Sequence, residues 1–167
     1  MDTLPEITEF VIDTARNLGA GEVKASAAQG TSTEVTQRDG KIEKWQDSQS
    51  RSISTALLVN DRWSVHSTSD LRPDAVREFL ARAIEATKML EPDPDRRLPE
   101  SALLGSTDAG AMDLDDGGTQ TDLRSWVSSL EQATVAAAPD NLRSASAFVW
   151  QGRSSRFTAT SLSLIHI

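Results

Sequence analysis

The sequence contains no cysteine and no tyrosine. The first absence excludes disulfide frameworks, thiolate-held zinc, iron–sulfur clusters and thiol nucleophiles. Only two histidines, His66 and His166, are available as imidazole ligands or proton carriers. Aromatic residues are sparse, four Phe and four Trp. Cations are in the minority as well: 17 Lys and Arg stand against 25 Asp and Glu, a formal charge of -8. A phosphate backbone or an anionic membrane surface repels such a chain unless its basic residues cluster, and these are dispersed. No run approaches the roughly 18 apolar residues of a membrane span. The opening stretch, residues 1–10, lacks the basic start and continuous apolar run of a secretory signal. These exclusions predict a cytoplasmic protein with no nucleic-acid and no membrane partner. Its 167 residues suffice for one domain, or one domain and part of a second. A fold of that size buries roughly two thirds of its chain surface without help from disulfides or metals.

What is present is a change of period along the chain. Ile7, Phe10, Val11, Thr14, Ala15 and Leu18 recur at helical steps and predict a first helix. Thr3 and Glu6 have capping-box spacing, Pro5 suits the first turn, and Gly19 and Gly21 supply the stop. The pattern then alternates. Val23, Ala25 and Ala27 are followed by the Thr-rich stretch 31–38 with Val35 at its centre. Asp39-Gly40 is a hairpin signal, because both residue types tolerate positive φ. Residues 41–49 are the return strand, in which Ile42 and Trp45 fall on opposite faces unless a bulge intervenes. Residues 52–59 place Ile53, Thr55, Leu57 and Val59 on one face. Asn60-Asp61 is a second turn, and residues 62–67 set Trp63 and Val65 against Ser64 and His66 on the other face.

Pro73 opens a second helix with the stripe Val76, Phe79, Leu80, Ala83, Ile84 and Thr87, ended by Pro92, Pro94 and Pro99. Residues 92–122 then hold eight acids and two arginines, three quarters of the net charge, and read as an irregular surface connection. A third helix carries Leu123, Trp126, Val127, Leu130 and Ala133 and ends before Pro139. Residues 142–150 and 153–160 read as a final hairpin around Gln151-Gly152. The order is helix, four strands, helix, acidic loop, helix, two strands. Tight turns between consecutive strands imply antiparallel pairing. The expected class is α+β, an antiparallel sheet of hairpins with helices packed on one face. Residues 1–91 form the core, 92–122 the connection, and 123–161 continue the same domain. The last six residues, Leu162 to Ile167, translate CTG TCT CTT ATA CAC ATC, a transposon end used in sequencing-library preparation. They are expected to be an adapter artefact, with the native sequence running no further than about Ser161 before it is cut short.

Few residues invite a chemical role. His66, with Ser64, Ser67 or Asp70 beside it, has the composition of a triad, but triad members come from separate elements, and a partly exposed strand histidine fits better. The run Asp113 to Gly118 invites a calcium-loop reading. Its fifth position is Gly117 and its twelfth Arg124, where an EF-hand needs oxygen ligands. A solvated acidic loop is the better account. Trp63 and Trp126 sit on apolar stripes and predict core packing. Trp45 is off its strand's apolar parity and is the expected exposed aromatic, suited to a peptide or subunit contact. The Ser- and Thr-rich strands, 31–36 and 48–55, are either edges for an extended substrate or ordinary solvent-facing positions. No catalytic, cofactor-binding or metal-ligating residue is assigned.

Several short patterns in order resemble the TldD/PmbA family. They are Asp39-Gly40-Lys41-Ile42-Glu43, then residues 48–59, then Ser67-Thr68-Ser69-Asp70-Leu71 leading into the helix 74–90. The exit Glu91-Pro92-Asp93-Pro94, the pair Leu98-Pro99 and the run Phe157-Thr158-Ala159-Thr160-Ser161 continue the likeness. It covers most of residues 5–161 and is closer to the PmbA, or TldE, branch. Two departures stand out. Arg72 replaces the family's Ser before Pro73, removing an N-cap, and Ser54-Thr55-Ala56-Leu57 replaces a Gly-rich, basic strand centre. The resemblance implies the N-terminal part of a subunit of a heterodimeric TldD–TldE metalloprotease, which acts on unfolded or short peptides and is also labelled modulator of DNA gyrase. It further implies a TldD-like partner subunit and a peptide substrate. In the family, zinc lies in the C-terminal domain of the TldD subunit at a His-Glu-x-x-x-His motif. There the two His hold the metal and the Glu activates its water. This chain contains no His-Glu pair, so the resemblance carries no catalytic or metal residue onto it and no cofactor is expected in the chain itself. The alternative is a self-standing α+β domain that binds a peptide or partner without enzymatic role.

Overall fold

Thr3 opens the first helix as the spacing predicts. Its hydroxyl accepts from Glu6 N at 3.4 Å while the Glu6 carboxylate accepts from Thr3 N at 3.2 Å. Helix α1 runs Leu4–Asn17. It ends in a Schellman motif, with Ala20 N donating to Ala15 O, Gly19 N donating to Arg16 O, and Gly19 at φ 98°. The structure, a computed structural model, describes residues 3–99, 122–138, 140–162 and 164–165. After α1 come β1 (Glu22–Arg38), β2 (Lys41–Val59), β3 (Arg62–Thr68), α2 (Pro73–Lys88), α3 (Leu123–Ala136), β4 (Ser146–Thr160) and the two-residue β5 (Leu164–Ile165). The sheet order is β3-β2-β1-β4-β5. The class is α+β with an antiparallel sheet, as expected.

Both predicted turns have positive φ at their central positions, 48° and 76° at Asp39 and Gly40, 49° and 60° at Asn60 and Asp61. Between β1 and β4, Ser161 N donates to Val23 O, the Ser26 and Thr158 hydroxyls meet at 2.9 Å, and Asp39 N donates to Ala145 O. The partners step through the two strands in opposite directions at one constant offset, so this pair is antiparallel along its length.

Two strand boundaries differ from expectation. The return strand does not stop at Gln49; β2 continues through Gln49-Ser50-Arg51 to Val59. That stretch holds no Gly or Pro, and polar side chains alone do not end a strand. Four strands before α2 therefore become three. The final hairpin is likewise one continuous strand, β4. Gly152 marks a close approach instead of a turn. A Cβ there would lie 2.5 Å from the Trp150 ring and 3.4 Å from Thr31 O.

The described chain divides into two compact units, each with its own core. Of the described residues, the first holds 3–29, 50–99, 155–162 and 164–165. Here α1 and α2 pack together and α2 packs on β3. Ile7, Val11 and Ala15 of α1 meet Val76, Leu80 and Ile84 of α2 and the strand residues Val23, Ala25, Ile53, Leu57 and Val59. Each large aliphatic side chain buried this way contributes roughly 1.5–3 kcal/mol. The α1 stripe is rotated from the predicted one: Leu4, Thr8 and Ile12 are buried, whereas Leu18 is exposed. Thr8 can turn inward because its hydroxyl donates to Leu4 O at 2.7 Å. The α2 stripe is as predicted, apart from the half-buried Phe79. On the other side of these strands lies residue segment 93–98. Arg96 stacks over Trp63 at 5.9 Å, Arg97 reaches the Asp61 carboxylate at 2.9 Å, and Leu98 N donates to Glu22 Oε2 at 2.8 Å. Irregular as expected, the segment nevertheless buries Leu98. Residues 100–121, the rest of the acidic connection, lie outside those described.

The second unit holds residues 30–49, 122–138 and 140–154 of those described. Its core is small: Val35, Leu123, Val127 and Val149, with Ile42 and Ala147 against them. Helix α3 is capped by Asp122, whose carboxylate accepts from Arg124 N and Ser125 N. Within each unit the helices lie on one face of the strands.

Candidate functional site

Among the described residues, polar chemistry concentrates in two places, one per unit. In the first, strand alternation puts Ser64 and His66 on the β3 face that meets α2. Residues two apart on a strand do converge here: His66 Nε2 lies 2.9 Å from Ser64 Oγ. Ser64 Oγ in turn lies 2.5 Å from Thr87 Oγ1, and Thr87 Oγ1 donates to Ala83 O at 2.7 Å. Proton counting fixes the direction of this relay. Thr87 has one hydroxyl proton, and the helix carbonyl takes it, so Ser64 donates to Thr87. Ser64 then has only lone pairs to offer His66, and His66 must donate through Nε2–H. An imidazole donating to a serine cannot accept that serine's proton, so His66 is no general base for Ser64. Phe79 sits edge-on to the imidazole at 6.4 Å. The remaining triad candidates are elsewhere engaged. Ser67 is exposed. Asp70 is gripped by Arg72, whose Nε and Nη2 donate at 2.9 and 2.5 Å. The Arg72 side chain, then its backbone N–H, hold the Asp70 carboxyl at about 2. Arg72 gives α2 no side-chain cap, as its identity predicted.

In the second unit the feature is a buried carboxylate that sequence reading missed. Glu131 of α3 is 4% exposed. Its Oε2 accepts from Gln37 Nε2 at 2.6 Å and from Gly40 N at 2.9 Å, while Oε1 is buried with no partner. Gln37 is itself fixed by Ser128, whose hydroxyl donates to Gln37 Oε1 at 3.0 Å. A helical latch thus holds the tip of the β1–β2 hairpin. Glu131 lies at i+4 from Val127 and i+8 from Leu123, so the spacing was readable; its charge is what hid it. Asp39 fastens the same tip to the start of β4. Its carboxylate accepts from Ala145 N and Ser144 Oγ, and these bonds, the backbone one first, lower its pKa.

Drawing Glu131 inward turns α3 away from its predicted stripe. Trp126 is 46% exposed, contrary to the core role its position suggested, and Leu130 is exposed as well. Trp45 is exposed as predicted. It lies 5.7 Å beneath the Arg124 guanidinium of α3, and its Nε1 donates to Asp47, which also accepts from Thr33 Oγ1. Ile42 packs into the α3 cluster too. Trp63 is half-buried under Arg96. The acidic run 113–118 and His166 lie outside the described residues.

Among the described residues no three His, Cys, Asp or Glu side chains come together to hold a metal. The one described histidine spends Nε2–H on Ser64. These donors do not fit a zinc site.

An antiparallel sheet carrying α1 and α2 on one face defines an α+β domain with no bond-breaking constellation of its own among the described residues. Residues 23–87, from the start of β1 to the last turn of α2, match PmbA/TldA metallopeptidase domain 1. The match falls on the TldD/PmbA family, which the chain's short patterns resemble. Among curated proteins none matches it by sequence. Solved structures share the fold. A protein from Bacteroides thetaiotaomicron described as a modulator of DNA gyrase is 18% identical, with a TM-score of 0.76, over 96% of this chain and 37% of its own. TldE from Thermococcus kodakarensis is 13% identical, with a TM-score of 0.68, over 94% and 35%. A modulator-of-gyrase protein from Thermotoga maritima is 13% identical, with a TM-score of 0.61, over 97% and 36%. The chain spans little more than a third of the length of these structures. No helix among the described residues is long and apolar enough to cross a membrane.

Proposed function

We propose that the chain is the first domain of a TldE-like subunit of a cytoplasmic zinc peptidase, working beside a TldD-like catalytic partner. It would shape the subunit interface and the cavity that receives peptide, and supply no bond-breaking group. The observation that carries this reading is the domain match over residues 23–87, which spans the β1–α2 core. The relay from His66 to the Ala83 carbonyl supports the non-catalytic part, since its protons run away from Ser64 as a nucleophile. The exposed Trp45, steadied by Arg124 and Asp47, is the residue offered for the partner contact.

The test mixes the purified chain with a TldD-like subunit and follows association by size exclusion and cleavage of an unfolded peptide by mass spectrometry. Association is expected. The chain alone is expected to cleave nothing and to carry no zinc, and Trp45→Ala should weaken association. Stoichiometric zinc on the chain alone would overturn the non-catalytic reading. Unchanged association and stability in Trp45→Ala would remove Trp45 from the interface. A self-standing binding domain is the second reading, favoured by the exposed aromatics Phe148 and Trp150 on β4. Absence of any association with the TldD-like subunit would select it.

A further inference from the structure

The outer edge of β4 is open among the described residues. Its neighbour on that side, β5, pairs only at Thr158 and Ala159. Ser161 N donates to Val23 O, and Asp39 N donates to Ala145 O, so odd-numbered β4 positions bond to β1. The same offset holds at both ends, which turns the N–H and C=O of Ser146, Phe148, Trp150, Gly152 and Ser154 outward. A row of backbone donors and acceptors at strand spacing is matched by one kind of ligand, another extended chain.

Two further observations say what chain it is. The side chains of these even positions stand on the face opposite buried Val149. Phe148 and Trp150, 56% and 57% exposed, lie there side by side. They present apolar area to alternate residues of an incoming strand. The charge is one-sided as well. Residues 141–161 contain three arginines, Arg143, Arg153 and Arg156, and no acid, in a chain of net charge -8. The open stretch of β2 among the described residues, 41–52, differs in its charge. It mixes signs, with Lys41, Lys44 and Arg51 against Glu43 and Asp47.

We propose that the β4 edge from Ser146 to Ser154 binds an extended acidic peptide by strand addition, with alternate apolar side chains laid on Phe148 and Trp150. This goes beyond the peptidase reading, since it requires neither zinc nor a partner subunit.

The probe is a short end-blocked peptide alternating glutamate with valine, titrated into the full chain and followed by calorimetry and Trp fluorescence. It is compared with a lysine-for-glutamate version and with two forms N-methylated on one or the other alternate set of amides. Saturable binding of the parent is expected. One N-methylated form should bind about tenfold more weakly or worse, and the other should bind nearly as well, because an edge strand uses only alternate amides. The lysine version should also lose about tenfold at low salt. On the protein, Ser154→Pro removes an outward N–H that no internal strand uses, so it should keep the fold by circular dichroism and lose the peptide. Trp150→Ala should weaken binding about tenfold. Failure of the parent peptide to bind, equal binding of both N-methylated forms, undiminished binding of the lysine version, or full binding to a folded Ser154→Pro would each overturn the proposal. None of these outcomes bears on association with a TldD-like subunit.

Discussion

Removing the Glu131 carboxylate tests the latch directly. Oε2 accepts two hydrogen bonds, from Gln37 and Gly40. Bonds to a charged acceptor are worth roughly 1.5–3 kcal/mol each, so Glu131→Ala forfeits about 3–6 kcal/mol gross. Two effects reduce that figure. Gly40 N is part-buried and can turn to water. The buried carboxylate also carries an unpartnered Oε1, and releasing it returns a few kcal/mol of desolvation. The Gln37 amide, 5% exposed, is left without its acceptor. The expected net loss is about 2 kcal/mol, on the order of 1 M in the urea midpoint. Glu131→Gln keeps an acceptor oxygen for both donors while removing the charge, so it should cost less than about half as much. Urea unfolding followed by α3 fluorescence at Trp126 measures the change, and hydrogen exchange at the Gly40 amide localises it. If Glu131→Ala lies within about 0.5 kcal/mol of the parent, or Glu131→Gln is as damaging as Glu131→Ala, the latch is not held by these bonds.

Three further outcomes follow from the geometry. Gly40→Ala meets no atom within 4 Å but must adopt φ 76°, so it should destabilise by about 1 kcal/mol in urea titration, and a neutral result would refute the strained turn. Asp70 is held at about 2 against an ordinary 3.8, so its contribution is complete above the unfolded value and is lost as pH falls through the folded one. Asp70→Asn should therefore flatten the decline of melting temperature in the window between these two values, and an unchanged slope would discount the Arg72 grip. His66 should show the Nε2–H tautomer in nitrogen-15 spectra at neutral pH. Observation of the Nδ1–H form would reverse the relay's direction.

Much of the fold was legible because local chemistry and burial agree. Thr3 with Glu6, Gly19 and Asp39-Gly40 each carry a backbone instruction that no tertiary contact contradicts. The α2 stripe was readable because one broad apolar face meets both α1 and β3. Errors fell where a polar residue found a partner that let it turn inward. Thr8 bonds its own helix and turns inward, shifting the α1 face past Phe10. Glu131 does the same for α3 by taking two donors from a distant hairpin, and Trp126 is carried out to solvent. Gly152 was ambiguous in principle, since a turn and a close aromatic contact both ask for a missing Cβ. The site fared differently. The exclusion of thiol chemistry follows from composition alone. The direction of the His66 relay depends on Thr87, twenty-one positions away, and no pattern along the chain links them.

The segment after α2 has a mechanical consequence. Asp93 N donates to Asp61 O, Arg97 grips the Asp61 carboxylate, Arg62 Nε reaches back to Leu90 O, and Leu98 N hangs on Glu22. Tension applied at residue 99 would load Glu22 and the Asn60-Asp61 turn before it reached the last turn of α2. The helix is shielded from a pull on the chain that leaves it, and the hairpin acts as the cleat.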